Sequence, residues 1–210
     1  MIQENTRKVA SGYLALVVLP ILTLLLGWLL ARAAMAEQVA YAVIYGLALL
    51  VTLVCYLGFF MVHPNQAKVL QLFGTYVGSV RQTGLRWANP FYAKQPVSLR
   101  VRNFESGQMK VNDSSGNPID IAAVVVWKVV DSAEAVFEVD DYESFVQIQS
   151  EAALRNMATS YPYEAHGGEE VALRSHPQAI AEKLRKEVQD RLDRAGVEVL
   201  EARISHLAYA

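Results

Sequence analysis

Residues 13–62 constrain this chain more than any other stretch. They read YLALVVLPILTLLLGWLL over 13–30, ARAAMAEQ over 31–38, and VAYAVIYGLALLVTLVCYLGFFMV over 39–62. The two apolar runs are 18 and 24 residues long, and neither carries a charged side chain. About 20 apolar residues in a helix cross the hydrocarbon core of a bilayer. A helix also satisfies its own backbone hydrogen bonds there. The eight residues between the runs include Arg32 and Glu37 and are too few for a domain. The sequence therefore predicts an N-terminal segment, residues 1–62, with two transmembrane helices at about 13–30 and 39–62. Residues 1–12 are polar and are expected at the interface.

Charge orients this hairpin. Arg7 and Lys8 precede it, and Lys68, Arg81, Arg86 and Lys94 follow it before the next acid at Glu105. The positive-inside rule then puts both ends in the cytosol and the turn outside. Two rival readings stay open. Arg7-Lys8, the first run and Ala34-Met35-Ala36 resemble a cleaved signal peptide, and Pro20 could bend the first run into a re-entrant loop. Both leave the remainder of the chain on the cytosolic face.

Residues 63–210 hold 16 Lys/Arg and 19 Asp/Glu, a net of −3. That balance offers no basic stripe of the kind that binds nucleic acid. The single cysteine, Cys55, lies in the second apolar run, so no disulfide framework or thiolate metal site forms within one chain.

After the hairpin, His63-Pro64-Asn65 is expected to break the helix. Short strands follow at 67–73 and 78–81, with a turn at Asn89-Pro90. Residues 96–103 alternate Val97, Leu99 and Val101 against Ser98, Arg100 and Arg102, which predicts one half-buried strand. Its two arginines read as a solvated face or, alternatively, as a binding pair. Residues 108–112 and 119–130 flank the turn formers 113–118 and predict a hairpin whose second arm is central in a sheet. Trp127 belongs to that core. From Asp131 the period becomes helical. Asp131 or Ser132 caps a short helix, and Asp140/Asp141 cap a longer one over 142–160 with a stripe of Phe145, Ile148, Ala152 and Arg155, flanked by Val146, Ala153 and Met157. The last helix, 178–195, buries Ile180, Leu184, Val188 and Leu192. It carries i,i+4 pairs at Glu182/Lys186, Glu187/Arg191 and Asp190/Arg194 and stops at Gly196. Residues 197–207 form a last strand with an irregularity near Leu200-Glu201.

Catalytic and metal motifs are scarce. The four histidines, His63, His166, His176 and His206, have no H-x-x-x-H spacing. His166 and His176 flank a Gly-Gly-Glu-Glu loop, where a metal site competes with a solvated loop. Ser114-Ser115 near Lys110 invites comparison with a Ser–Lys dyad, but a hairpin tip supplies no pocket. Asp140/Asp141 and Glu169/Glu170 fit helix N-termini better than acid/base chemistry. No catalytic residue, cofactor site or metal site is assigned.

The non-membrane part, 63–210, resembles the SPFH or band 7 family of stomatin, prohibitin and flotillin. Phe73-Gly74-Thr75-Tyr76-Val77-Gly78 looks like the family's opening glycine turn. Gly84-Leu85-Arg86-Trp87-Ala88-Asn89-Pro90-Phe91 is similar to its G-L-x-W-x-N/P-P-F signature. Val97-Ser98-Leu99-Arg100, the turn 113–118 with the strand 119–130, and Asp140-Asp141-Tyr142 with QSEAALRNMA at 149–158 follow in the same order. Residues 184–204 match the family's last helix and strand. The expected fold is α+β: a two-helix transmembrane hairpin, then a mixed α/β SPFH domain with a β-rich lobe at about 63–112 and an α/β lobe at about 113–210. Two features differ from the family pattern. Two full-length runs precede the domain, and the coiled coil that drives ring or cage assembly in the family does not follow, so the chain reads as truncated after Ala210.

The resemblance implies a non-enzymatic, integral membrane scaffold of the plasma or inner membrane, with its domain on the cytoplasmic face. It would self-associate as a homo-oligomer and organise membrane microdomains or protein complexes. The alternative is a regulatory adaptor of a membrane-bound ATP-dependent protease or channel. Partners are then the lipid bilayer, further copies and a membrane protein, with no nucleic acid. Phe91 and Tyr92, just after the Asn-Pro turn, are expected to dip toward the headgroups as a second membrane contact. The competing reading makes Trp87 and Phe91 lobe core.

Overall fold

The computed structural model describes residues 3–164 and 171–210. It is an α+β chain that divides into two compact units, Asn5–Ser98 and a second made of Met1–Glu4 with Leu99–Ala210.

The first unit begins with strand β1 (Ala10–Ser11) and passes directly into helix α1 (Gly12–Met35). A turn follows in which Ala36, Glu37 and Gln38 donate backbone N–H groups to the carbonyls of Arg32, Ala34 and Ala33. Helix α2 (Val39–Cys55) returns and closes in a 3-10 turn, Tyr56–Gly58. Helix α1 runs five residues past the expected end because Ala31 to Met35 are good helix formers. Arg32 also sits in the last turn, where the helix dipole favours a cation. Pro20 lies inside α1 and does not end it. Only 6% of each apolar window is buried, so neither helix is the wrapped core helix of a soluble fold. Between the helices the hydroxyls of Thr23 and Tyr56 lie 3.2 Å apart in a hydrogen bond.

The second helix does not continue to residue 62. Phe59–Val62 form strand β2 instead. A continuous apolar run cannot by itself separate helix from strand. Aromatic and β-branched residues accept the pleated state, and a partner strand is waiting. Strand β5 (Gly84–Trp87) pairs with β2 on one side, Phe59 opposite Trp87, and with β1 on the other, Ala10 opposite Trp87. Residues 5–11, expected at the interface, are thus woven into the lobe: Arg7 N–H donates to Ser79 O and Ser79 N–H to Asn5 O, each at 2.8 Å. A second sheet has the order β4-β3-β6, built from β3 (Gln66–Leu72), β4 (Thr75–Val80) and β6 (Ala93–Ser98). Phe60, Val62, Leu70, Val80 and Ala88 form the core between the sheets.

The expected single strand 96–103 is two strands. β6 stops at Ser98 and β7 (Arg102–Glu105) begins in the other unit. Val97 is buried, but Val101 is 56% exposed, because the chain crosses there from one sheet to another.

The second unit is built on β9 (Pro118–Val129), which pairs with β10 (Val197–Tyr209) on one side and with β7 and β8 (Met109–Asn112) on the other. The central, nearly continuous apolar strand is therefore as expected. Strand β10 slips register at Val199/Glu201 and again at Ile204/His206. Helices α3 (Ser132–Phe137), α4 (Tyr142–Ser160) and α5 (Pro177–Leu192) complete the unit. Asp131 caps α3 by accepting from Ala133 N–H and Glu134 N–H, and it also accepts from Glu4 N–H. Gly196 ends the last helical turn at φ 62°, where a Cβ would lie 2.3 Å from Asp131 O.

Helix α5 buries Ile180, Leu184, Val188 and Leu192 as expected. Helix α4 is rotated from the expectation: Val146, Ser150, Ala153, Leu154, Met157 and Ala158 are buried, while Ile148 is 63% exposed. Small Ser150, Ala153 and Ala158 give that face its close approach, and a count of large apolar side chains misses it. On the outer face Glu187 bridges Arg191 as expected, whereas Glu182 bonds Arg185 at i,i+3.

Asp113 organises the β8–β9 turn. Its buried carboxylate accepts from the N–H groups of Ser115, Asn117 and Tyr163 and from Asn117 Nδ2. Burial pushes its pKa up, but these four bonds outweigh that and hold it below the usual carboxylate value. Its folded pKa lies below its unfolded one, so its contribution is present above about pH 4 and is lost as pH falls. Asp113→Ala is expected to lower stability at neutral pH by about 2 kcal/mol. It should also flatten the acid limb of the melting-temperature curve measured by circular dichroism.

Candidate functional site

The base of the first unit, where the hairpin meets the lobe, concentrates the unusual chemistry. A helix leaves its last four carbonyls without intrahelical partners. At the end of α2 the lobe supplies the donors. Trp87 Nε1–H donates to Cys55 O at 2.9 Å, Lys94 Nζ donates to Leu57 O at 2.9 Å, and Ala88 N–H donates to Gly58 O at 3.1 Å. Partial burial pulls the Lys94 ammonium below the ordinary lysine pKa, and it also sits 5.9 Å above the Phe60 ring.

Two glycines make the fit. A Cβ on Gly58 would stand 2.4 Å from Ala88 O and 2.6 Å from Trp87 Nε1. A Cβ on Gly12, the first residue of α1, would stand 2.6 Å from Leu85 Cγ and 2.8 Å from its carbonyl carbon. The chain entering the hairpin and the chain leaving it thus both close on β5.

The expected contact residues lie beside this clamp, in the turn joining β5 to β6. Asn89 Oδ1 accepts from Phe91 N–H at 3.0 Å, and Tyr92 N–H donates to Asn89 O at 3.1 Å. The turn splits the pair. Phe91 is 63% exposed, while Tyr92 packs on the lobe core and its hydroxyl accepts from Arg7 at 3.4 Å. Phe91 is therefore not core, and Trp87 is half-buried against the end of α2.

Of the other candidates, Arg102, Asp141 and His176 hold structural contacts. Arg102 pairs with Glu143 and lies 5.7 Å from the Trp127 ring, so it ties β7 to α4. Asp141 caps α4, accepting from Glu143 N–H and Ser144 Oγ. His176 Nδ1 accepts from Ala172 N–H at 3.4 Å, and His63 and His206 are exposed. His166, Glu169 and Glu170 lie outside the described residues. Among the described residues no group of three or more His, Cys, Asp or Glu is arranged to hold a metal ion. Ser114 and Ser115 are exposed in the turn that Asp113 organises, and Lys110 stands opposite Asp120. The groove between α4 and α5 has a volume of about 380 Å³ and is lined by Asn156, Ser160, Tyr161, Lys183, Lys186 and Asp190. There Lys183 is engaged by the Tyr161 hydroxyl at 2.8 Å.

Sequence reasoning missed Lys94, Gly12 and Gly58. Only pairing between distant segments reveals them, since each acts on a residue at least 30 positions away.

A comparison with protein families matches residues 60–210 to the family described as SPFH domain / Band 7 family. A comparison with curated proteins finds no match.

Gly58→Ala is expected to cost about 1–3 kcal/mol through overpacking against Trp87 and Ala88. Gly27→Ala, with nothing within 4 Å of its Cβ position, should be close to neutral or slightly stabilising. Trp emission during chemical unfolding in detergent distinguishes the two.

Proposed function

The chain belongs to the SPFH domain / Band 7 family, and from that premise we propose that it is a non-enzymatic membrane scaffold that self-associates. The observation that carries this reading is the closure of both hairpin ends on β5. A lobe held that way has no slack linker, so every copy presents the same surface at the same height above the bilayer. Confinement to a membrane plane raises the effective concentration of copies for one another. In this reading the hairpin spans the plasma or inner membrane and the SPFH domain faces the cytosol.

Phe91 is the second membrane contact and Tyr92 its anchor into the lobe. Regulation of a membrane-bound protease or channel is the alternative use of the same module, and no single feature of the surface favours it.

Two experiments test the reading. Chemical crosslinking and native mass measurement of the full chain in detergent should show multiples of the 23.3 kDa protomer; a single protomer at all concentrations overturns self-association. For the contact, Phe91→Cys in a Cys55→Ser background is labelled with a polarity-sensitive dye. In vesicles the emission should shift to the blue, and a water-like spectrum would remove Phe91 from the membrane.

A further inference from the structure

The two units have opposite charge. Asn5–Ser98 contains seven Lys/Arg and one Asp/Glu, the acid being Glu37 in the hairpin turn. The other unit contains 12 Lys/Arg and 20 Asp/Glu. Apart from the hairpin turn, the hairpin-bearing unit thus carries six cations, Arg7, Lys8, Lys68, Arg81, Arg86 and Lys94, and no acid at all.

The strand register says which of these lie at the hairpin end. β2 leaves Gly58 and runs away from the helices, and β5 runs back antiparallel to it, bringing Trp87 to the end of α2. β6 departs again from Ala93, with Lys94 bonded to Leu57 O. β3 is antiparallel to β6, with Gln71 opposite Ala93 and Leu70 opposite Lys94. The β3–β4 tip, Phe73-Gly74, therefore projects from the same end of the lobe as Phe91. Phe73 is 89% exposed and holds φ 49°, a left-handed conformation uncommon for a bulky side chain. Arg7 reaches the same end through Tyr92, and the exposed Lys8 follows it, four residues before α1 starts.

We propose that this end is a foot for anionic phospholipid: Arg7, Lys8 and Lys94 meet the headgroups while Phe73 and Phe91 enter the interface between them. The inference rests on the membrane-seated reading above and adds a lipid class to it. Basic residues beside a membrane span attract anionic lipid, an effect that fades within a Debye length. Within this unit the one acid, Glu37, lies in the hairpin turn. Aromatic rings prefer the headgroup level. Arg86 turns back to Thr83 O.

The test uses the full chain in vesicles, with Trp28→Phe and Trp127→Phe leaving Trp87 as the one indole. Trp87 is then read by brominated phosphatidylglycerol or brominated phosphatidylcholine, each at the same mole fraction in a phosphatidylcholine bilayer. Stronger quenching by the phosphatidylglycerol lipid is expected, with the excess reduced about fivefold per charge removed in Lys8→Gln and in Arg7→Gln/Lys8→Gln. Lys8 is exposed and bonds nothing the fold needs, so the single variant guards against misfolding of the double one. Equal quenching by both lipids, or an excess that survives both variants, overturns the foot while leaving the hairpin inserted. Quenching by neither lipid shows instead that the hairpin is not seated. Loss of the excess in inorganic phosphate, but not in chloride of equal ionic strength, also overturns the proposal by showing a site for a free anion. Salt-dependent crosslinking between copies with no lipid preference would assign the cations to self-association, against the proposal.

Discussion

Strand β5 is the constraint on which the first unit depends. Its four residues pair on one edge with the chain that has just left the hairpin, and two of them, Arg86 and Trp87, pair on the other with the chain about to enter it. Without β5 the carbonyls of Cys55 and Gly58 would lack the indole and backbone donors that now satisfy them. Unsatisfied buried backbone groups are costly, so the end of the helix relies on donors from the lobe. The glycines at 12 and 58 follow from the same geometry, since only a missing side chain lets three backbones approach this closely.

The second unit relies on a different device. Its long strand β9 is covered by helices whose ends are fixed by carboxylates: Asp131 on α3, Asp141 on α4, and Asp113 on the turn that leads into β9. These acids point into backbone N–H groups, which explains why carboxylates that look available in the sequence are already engaged. Of the acids singled out in the sequence, Asp141 is thereby structural.

The two units differ in charge. A unit that emerges from two apolar helices and carries almost no acid is electrostatically suited to a negative surface, while its acidic neighbour is not. The pattern is invisible in the overall net charge of −2, where the two contributions cancel. It follows from where the chain folds apart, at Ser98/Leu99.

Much of the architecture could be read from residues alone. The two apolar runs, the turn formers at 113–118, the caps at Asp131 and Asp141, the buried stripe of α5 and the stop at Gly196 are local signals, and local chemistry decided them. The failures share a cause. Phe59 to Val62 read as helix because apolar continuity does not reveal a pairing partner 22 to 28 residues away. The alternation across 96–103 is equally good on both sides of a break. The contact face of α4 uses Ser150 and alanines, which carry little hydrophobic signal but permit close packing. Phe91 and Tyr92 are adjacent in sequence and alike in character, yet one turn sends the first to solvent and packs the second, half-buried, against the core. The sequence by itself determined that this chain has an apolar hairpin and an SPFH domain, because those depend on composition and short-range order. Only the tertiary structure decided how they are joined, because the joint is made by hydrogen bonds and steric gaps between segments far apart along the chain.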